Sequence, residues 1–276
     1  MALKDPNEQT LRGARSAATN RQVGQFSWYK LQQVMLTSKA IVLSRENFGE
    51  ADCYIEFLTE DWGVVTTLAK SARKSRRRYV GGLDIFCHDE ISVRGDPHAN
   101  PYLDELKVLN TFLGLREEVD RVFSAGRIVQ WIQKIVAEGT PVPEVYRLLG
   151  QVLALLEKEK SSDRILVLEL LFKMKLISLL GFKPRVEACG NPAGCTAVET
   201  FLDMGSGILI CPRCAEGRPL LRQNWIGADE RNFLAVADQV RLTAWDQVNI
   251  PVARAQHLNR LITNFASFHT QVLLPL

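Results

Sequence analysis

The stretch KAIVLSRENFGEADCYIEFLTEDWGVVTTLA, running from Lys39 to Ala69, reads as three short β-strands. KAIVLSR, ADCYIEFLT and GVVTTLA are dense in β-branched and aromatic residues, and Asn47-Phe48-Gly49 and Asp61-Trp62-Gly63 supply turn chemistry between them. Two more strand patterns follow, DIFCHDEISVRG from Asp84 and YLDELKVLNTF from Tyr102, separated by the breaker Gly95-Asp96-Pro97. Five short strands with one long loop after the third predict a small Greek-key barrel of the OB type over residues 35–112, a shape that holds nucleic-acid strands with its loops and open face.

The long loop is KSARKSRRRYVGG, Lys70 to Gly82, with six cationic side chains and no acid. Fixed charge at that density repels itself, and a polyanion that sheds condensed counterions on binding relieves it. A solvated surface loop or a cleavage-prone linker is the competing reading. Residues 1–82 carry thirteen Lys plus Arg against eight Asp plus Glu, so a local net of +5 stands against −2 for the remainder. The candidate phosphate-binding residues are therefore Lys70, Arg73, Lys74, Arg76, Arg77 and Arg78, with Lys39 and Arg45 extending the positive surface along the first strand. Tyr79 could stack on a base, although a tyrosine at such a position is more often packing.

After Phe112 the apolar period changes from two to about 3.6, which predicts an all-α helical domain over residues 113–276. Val119, Val122, Phe123, Val129, Ile132 and Val136 make one stripe, and Val145, Leu148, Leu149, Val152, Leu155 and Leu156 the next. Ser162 can cap a third helix, whose apolar content from Ile165 to Leu180 is so continuous that it belongs at the centre. Two more helices are expected from Asp229 to Val240 and from Pro251 to Val272. The predicted fold is thus β plus α, an OB-type barrel followed by a helical domain with a cysteine insertion at residues 186–218.

That insertion holds Cys189-x5-Cys195 and Cys211-x2-Cys214. Two close thiolate pairs around a short span suit one tetrahedral zinc, and four sulfurs leave no position for a reacting water, so the ion would be structural. The first gap is wider than the usual two to four residues, with Gly190, Pro192 and Gly194 supplying turns. Cys53 and Cys87 stand alone in strand patterns as expected buried thiols.

No phosphate-cradling glycine loop and no nucleophile elbow occurs. His88-Asp89-Glu90 with Cys-Pro-Arg-Cys mimics the parts of a zinc deaminase, but no proline precedes Cys211 and the halves lie far apart. The paired carboxylates Glu117-Glu118 fall at a helix start, where acids belong for dipole reasons. A non-catalytic protein is expected. No apolar run reaches the ~18 residues a membrane helix needs, and the N-terminus lacks a secretory h-region, so a soluble intracellular protein is expected. Residues 1–34 show no acid after Glu8, which fits a disordered extension, a misassigned start with Met35 as the first residue, or an organellar transit segment.

Taken in order, KAIVLSRENFGEADCYIEFLTEDWGVVTTLAKSARK through GGLD, then LELLFKMKLISLLGFKP and GILICPRC, the chain resembles the RecO family of bacterial recombination mediators from Met35 onward. The N-terminal extension and the wide first cysteine pair depart from the family pattern. The resemblance implies binding of single- and double-stranded DNA, annealing of complementary strands, and work with RecR and often RecF. It further implies help in loading RecA onto DNA coated by single-strand-binding protein, contact with that protein's acidic C-terminal tail, and a cytoplasmic, nucleoid-associated location. An RNA- or ribosome-binding factor built from an OB barrel and a zinc ribbon is the alternative. A metal-dependent nuclease ranks below both, because the needed carboxylate clusters are missing.

Overall fold

The computed structural model describes residues 35–75, 77–190, 195, 197, 199–237 and 239–276, so the expectations for residues 1–34 and for Arg76 lie outside the described residues. Five strands open the fold: β1 (Met35–Phe48), β2 (Asp52–Thr59), β3 (Gly63–Ala69), β4 (His88–Arg94) and β5 (Tyr102–Asn110). They pair in the cyclic order β1-β2-β3-β5-β4, and β4 returns to β1. Alternation decides what each face meets. Ala40 and Val42 of β1 join Cys53, Ile55, Phe57 and Ile91 inside the ring, whereas Ile41 and Leu43 enter the core of the helices. The run Ala40–Leu43 is apolar throughout because both of its faces are covered.

The expected OB-type barrel is corrected at its seam. Four junctions are antiparallel ladders of many residues, but β3 and β5 meet in one parallel pair, Leu68 with Tyr102. Pro101, which precedes β5, has no N–H to give, and its carbonyl accepts the Leu68 N–H at 3.0 Å. The ring is a sheet drawn round on itself and touching at one point, not a barrel laddered on every side.

The expected all-α second domain is also corrected. Among the described residues five helices are present, α1 (Val119–Ile135), α2 (Pro143–Leu156), α3 (Ser162–Leu179), α4 (Ala228–Ala237) and α5 (Val252–Thr270). A four-stranded sheet accompanies them, of β6 (Arg185–Cys189), β7 (Thr200–Asp203), β8 (Ile208–Ile210) and β9 (Trp225–Ile226) in the order β6-β8-β7-β9. Its strands are two to five residues long, too short for a period of two to stand out.

Helix α3 is central, packed on α1, α2, α4 and α5. Ser161, not Ser162, caps it, accepting from the Arg164 N–H, while the Ser162 hydroxyl donates to Asp120. On α1 the expected stripe is wrong over its first turn. Val119 and Phe123 are exposed, and the buried face runs through Ser124, Ala125, Ile128, Trp131 and Ile132. Arg121 is buried there instead, its guanidinium donating to the carbonyls of Glu159 and Gly114. The ring is fixed to the helices by polar ties as well. His88 Nε2 and the Tyr146 hydroxyl lie 2.7 Å apart, and the Gly139 N–H donates to the Val64 carbonyl at 2.9 Å. Gly63 has φ +71°, and a Cβ there would stand 2.1 Å from the Thr140 carbonyl oxygen, so only glycine fits this turn.

Candidate nucleic-acid face and four-cysteine centre

The basic loop leaves β3 at Lys70 and returns to β4 at His88. Lys70, Arg73, Lys74, Arg77 and Arg78 are all exposed. Two of them brace the loop: Arg73 Nη1 donates to the Glu50 carbonyl at 3.3 Å, and Arg78 Nη2 donates to the Lys70 carbonyl at 2.8 Å. Asp52 Oδ1 accepts the Ser71 N–H at 2.7 Å, which lets Ser71 hold φ +57°. Among the described residues, the side chains of Lys74 and Arg77 make no hydrogen bond or ion pair, so their charge is offered to solvent. Lys39 and Arg45 sit differently. Lys39 faces Glu90 across the β1–β4 ladder, and Arg45 pairs with Asp84 at 3.6 Å. Each has an acidic partner, whereas Lys74 and Arg77 form no ion pair among the described residues.

Tyr79 is packing: it is buried, and its hydroxyl donates to the Leu103 carbonyl at 2.8 Å. Burial raises its pKa despite Arg78. The aromatic residue the sequence reading missed is Tyr102, 45% exposed, with Lys70 Nζ 4.2 Å from its ring centroid. Tyr102 lines a cleft of about 760 Å³ with Lys70, Arg78, Arg94, Asn100 and Asp104. Arg94 is held by Asp104 at 2.6 Å. The one signal for Tyr102 in the sequence is its place directly after Pro101, at the start of a strand whose first N–H cannot be preceded by another donor.

The loop is closed over a buried acid. Asp89 of β4 points inside the ring at 0% exposure, and among the described residues neither carboxylate oxygen has a hydrogen-bond partner. Burial pushes its pKa up to about 7. Gly82, at the end of the loop, lies against it, since a Cβ there would come within 2.9 Å of Asp89 Oδ1. Cys87 and Cys53 are buried free thiols, and burial, then Asp89, pushes the Cys87 thiol up to about 11.

The four cysteines converge. The Sγ atoms of Cys189, Cys195, Cys211 and Cys214 all lie within 4.8 Å of one another, and those of Cys195 and Cys211 are 3.6 Å apart. A zinc with sulfur ligands at about 2.3 Å needs sulfur pairs roughly 3.7 Å apart, so the set fits a tetrahedral ion. The sheet explains the convergence. Parallel pairing of β6 with β8 brings Cys189 beside Leu209, and Cys211 follows directly after β8. The Cys214 N–H, a hydrogen-bond donor to Cys211, lowers the Cys211 thiol to about 6 and favours the thiolate.

Comparison with known proteins agrees with this architecture. A family model described as Recombination protein O N terminal matches residues 34–112, and one described as Recombination protein O C terminal matches residues 116–275. The DNA repair protein RecO of Myxococcus xanthus (strain DK1622) is 27% identical over 175 residues, 63% of this chain and 70% of that protein. That of Desulfosudis oleivorans (strain DSM 6200 / JCM 39069 / Hxd3) is 29% identical over 257 residues, 84% of this chain and 92% of the relative. That of Anaeromyxobacter sp. (strain K) is 31% identical over 193 residues, covering 68% and 73% respectively.

Proposed function

Because the chain belongs to the Recombination protein O family, whose members are non-catalytic, we propose that it is a DNA repair and recombination mediator that binds single- and double-stranded DNA and anneals complementary strands. The observation that carries this reading is the acid-free run of residues 70–82, with Lys70 beside an open cleft and Lys74 and Arg77 uncommitted. These side chains hold phosphates without reading bases, and screening two strands from each other lets them meet. The finer role is loading of RecA onto DNA coated by single-strand-binding protein, with RecR, RecF and the acidic tail of the coating protein as partners. One zinc on Cys189, Cys195, Cys211 and Cys214 shapes the small sheet and takes no part in chemistry. Among the described residues no helix is long and apolar enough to cross a membrane.

The test is Lys74→Glu with Arg77→Glu, two positions whose side chains hold nothing in the fold. Binding of a labelled single strand is followed by anisotropy from low to moderate salt. If the wild type neutralises about four phosphates, log K falls with log salt at a slope near −3, and the double variant should lose about 1.4 of that slope. Unchanged affinity and slope reject the reading. An equal preference for competing RNA would favour an RNA-binding factor instead.

A further inference from the structure

Register partners in adjacent strands share a face, and one line of partners crosses the outside of the ring. Arg94 of β4 stands opposite Tyr102 of β5, Tyr102 opposite Leu68 of β3, Leu68 opposite Tyr54 of β2, and Tyr54 opposite Glu46 of β1. Their chain neighbours Cys53, Ile55, Thr67, Ala69 and Leu103 are buried, so the line itself faces out. Tyr54 and Leu68 are half-exposed and belong to neither apolar core. At the β2 end the Phe48 ring, 49% exposed, stands 4.9 Å from that of Tyr54. At the β5 end Lys70 lies over Tyr102, and Arg78 and Arg94 border the same cleft. Aromatic rings at both ends, an aliphatic floor between them, and cations along one edge form an apolar strip left open among the described residues.

We propose that the line Tyr54–Leu68–Tyr102 is a stacking floor for single-stranded DNA, with one base on Tyr102 in the cleft and another on the Tyr54–Phe48 pair. The inference rests on the DNA-binding reading and adds to it the discrimination between strand forms. Two strand spacings separate the rings, roughly 10 Å, which leaves room for separate bases. Lys70 gives up its place over the ring to reach a phosphate. That exchange is favourable because an exposed cation–π contact is worth about 0.5–1 kcal/mol and base–aromatic stacking about 1–3 kcal/mol. The cleft lining mixes donors with acceptors, Arg78 and Asn100 beside Asp104, which suits a base edge better than phosphate alone. In a duplex both faces of each base are covered by neighbours, so the floor engages single strands only.

The experiment measures binding of a single-stranded oligonucleotide, its duplex, and an oligonucleotide of equal charge with abasic sites at its centre, using Tyr102→Ala, Tyr102→Phe and Tyr54→Ala. Thermal melting checks that each variant folds. Each alanine variant should weaken single-strand binding by roughly 5- to 150-fold, duplex binding should change by less than about twofold, and Tyr102→Phe should match wild type. The abasic strand should bind wild type about as weakly as the intact strand binds Tyr102→Ala. Wild-type affinity in the alanine variants, equal losses for both DNA forms, or indifference of wild type to abasic sites would each overturn the floor while leaving DNA binding intact. Absence of any wild-type binding would instead remove the reading beneath it.

Discussion

Asp89→Asn should stabilise the protein, and the gain should grow with pH. A carboxyl of an unfolded chain ionises near 3.8, whereas burial holds the proton of folded Asp89 up to about 7. Below about pH 4 both states are protonated and the group is neutral to stability. Between about 4 and 7 the unfolded chain sheds a proton the folded protein keeps, so stability falls as pH rises; above 7 the penalty is complete. At about 1.36 kcal/mol per pH unit the full penalty is about 4 kcal/mol at pH 8 and about 2 kcal/mol at pH 5. The asparagine amide does not titrate, so its desolvation cost is the same at every pH and the pH dependence of the difference reports the carboxyl. His88, lowered by burial and then by Lys39, titrates alike in both, and the Cys87 thiol at about 11 lies outside the window. Urea unfolding followed by circular dichroism at pH 5, 6.5 and 8 gives the difference directly. Should the variant show the wild-type pH slope, or no gain at pH 8, ionisation of the buried carboxyl does not cost the folded protein this much.

Three further outcomes are expected. Metal analysis should find one zinc per chain, and Cys211→Ser or strong chelation should remove it and loosen β6–β9 in hydrogen exchange while single-strand binding by the ring persists; the ion's folding contribution is on the order of 10 kcal/mol. Lys173 is 0% exposed, 2.8 Å from Glu169 and 3.3 Å from the Thr263 hydroxyl. Lys173→Met should cost about 3–5 kcal/mol in urea unfolding by leaving Glu169 only Arg127 and the Ser124 hydroxyl, and adding Glu169→Gln should recover part of it. His257 Nδ1 lies 2.9 Å from Glu230, and that hydrogen bond raises its pKa above the ordinary 6.5. Its contribution is full below 6.5 and lost as pH rises through the folded value, so His257→Gln should flatten the stability curve just above pH 6.5.

Sequence legibility followed element length. The third strand, Gly63 to Ala69, has the expected bounds because Gly63 begins it with a positive φ no other residue tolerates there. The fourth begins at His88 and not Asp84, since Phe86 at φ +78° breaks the extended chain first. The cysteine set was readable as chemistry, yet not the sheet beneath it, whose strands are too short to show a period. The sequence favoured packing over stacking for Tyr79, which lies among the arginines, and the fold does turn that ring inward; it gave no sign that a single pairing across the seam brings Tyr102 to the loop. Pairing between strands distant in sequence carries no local signal. The helical stripe failed at Val119 and Phe123 for a related reason: apolar periodicity marks a face, while what covers that face is decided by the remaining helices.

Strand β1 settles how the two halves act together. Its residues enter two cores alternately, Ala40 and Val42 the ring, Ile41 and Leu43 the helices. A shift of one residue in its pairing would exchange the two sets, overfilling the ring with Ile41 and Leu43 and leaving Ala40 and Val42 too small for the helical core, so its register is fixed from both sides. Gln133 of α1 donates to Glu56 on the outer face of β2, one alternation from Tyr54. The face bearing Tyr54, Leu68 and Tyr102 is therefore held at a set angle to α1 and α2, and turning it would break the apolar packing of Ile41, Leu43, Leu58 and Val64. Burying a side chain of that size is worth about 1.5–3 kcal/mol, so four of them together exceed what any single bound base returns. A strand laid on the proposed floor would consequently meet a preformed backbone surface, with the Lys70 side chain moving aside and the bases doing the rest of the rearranging.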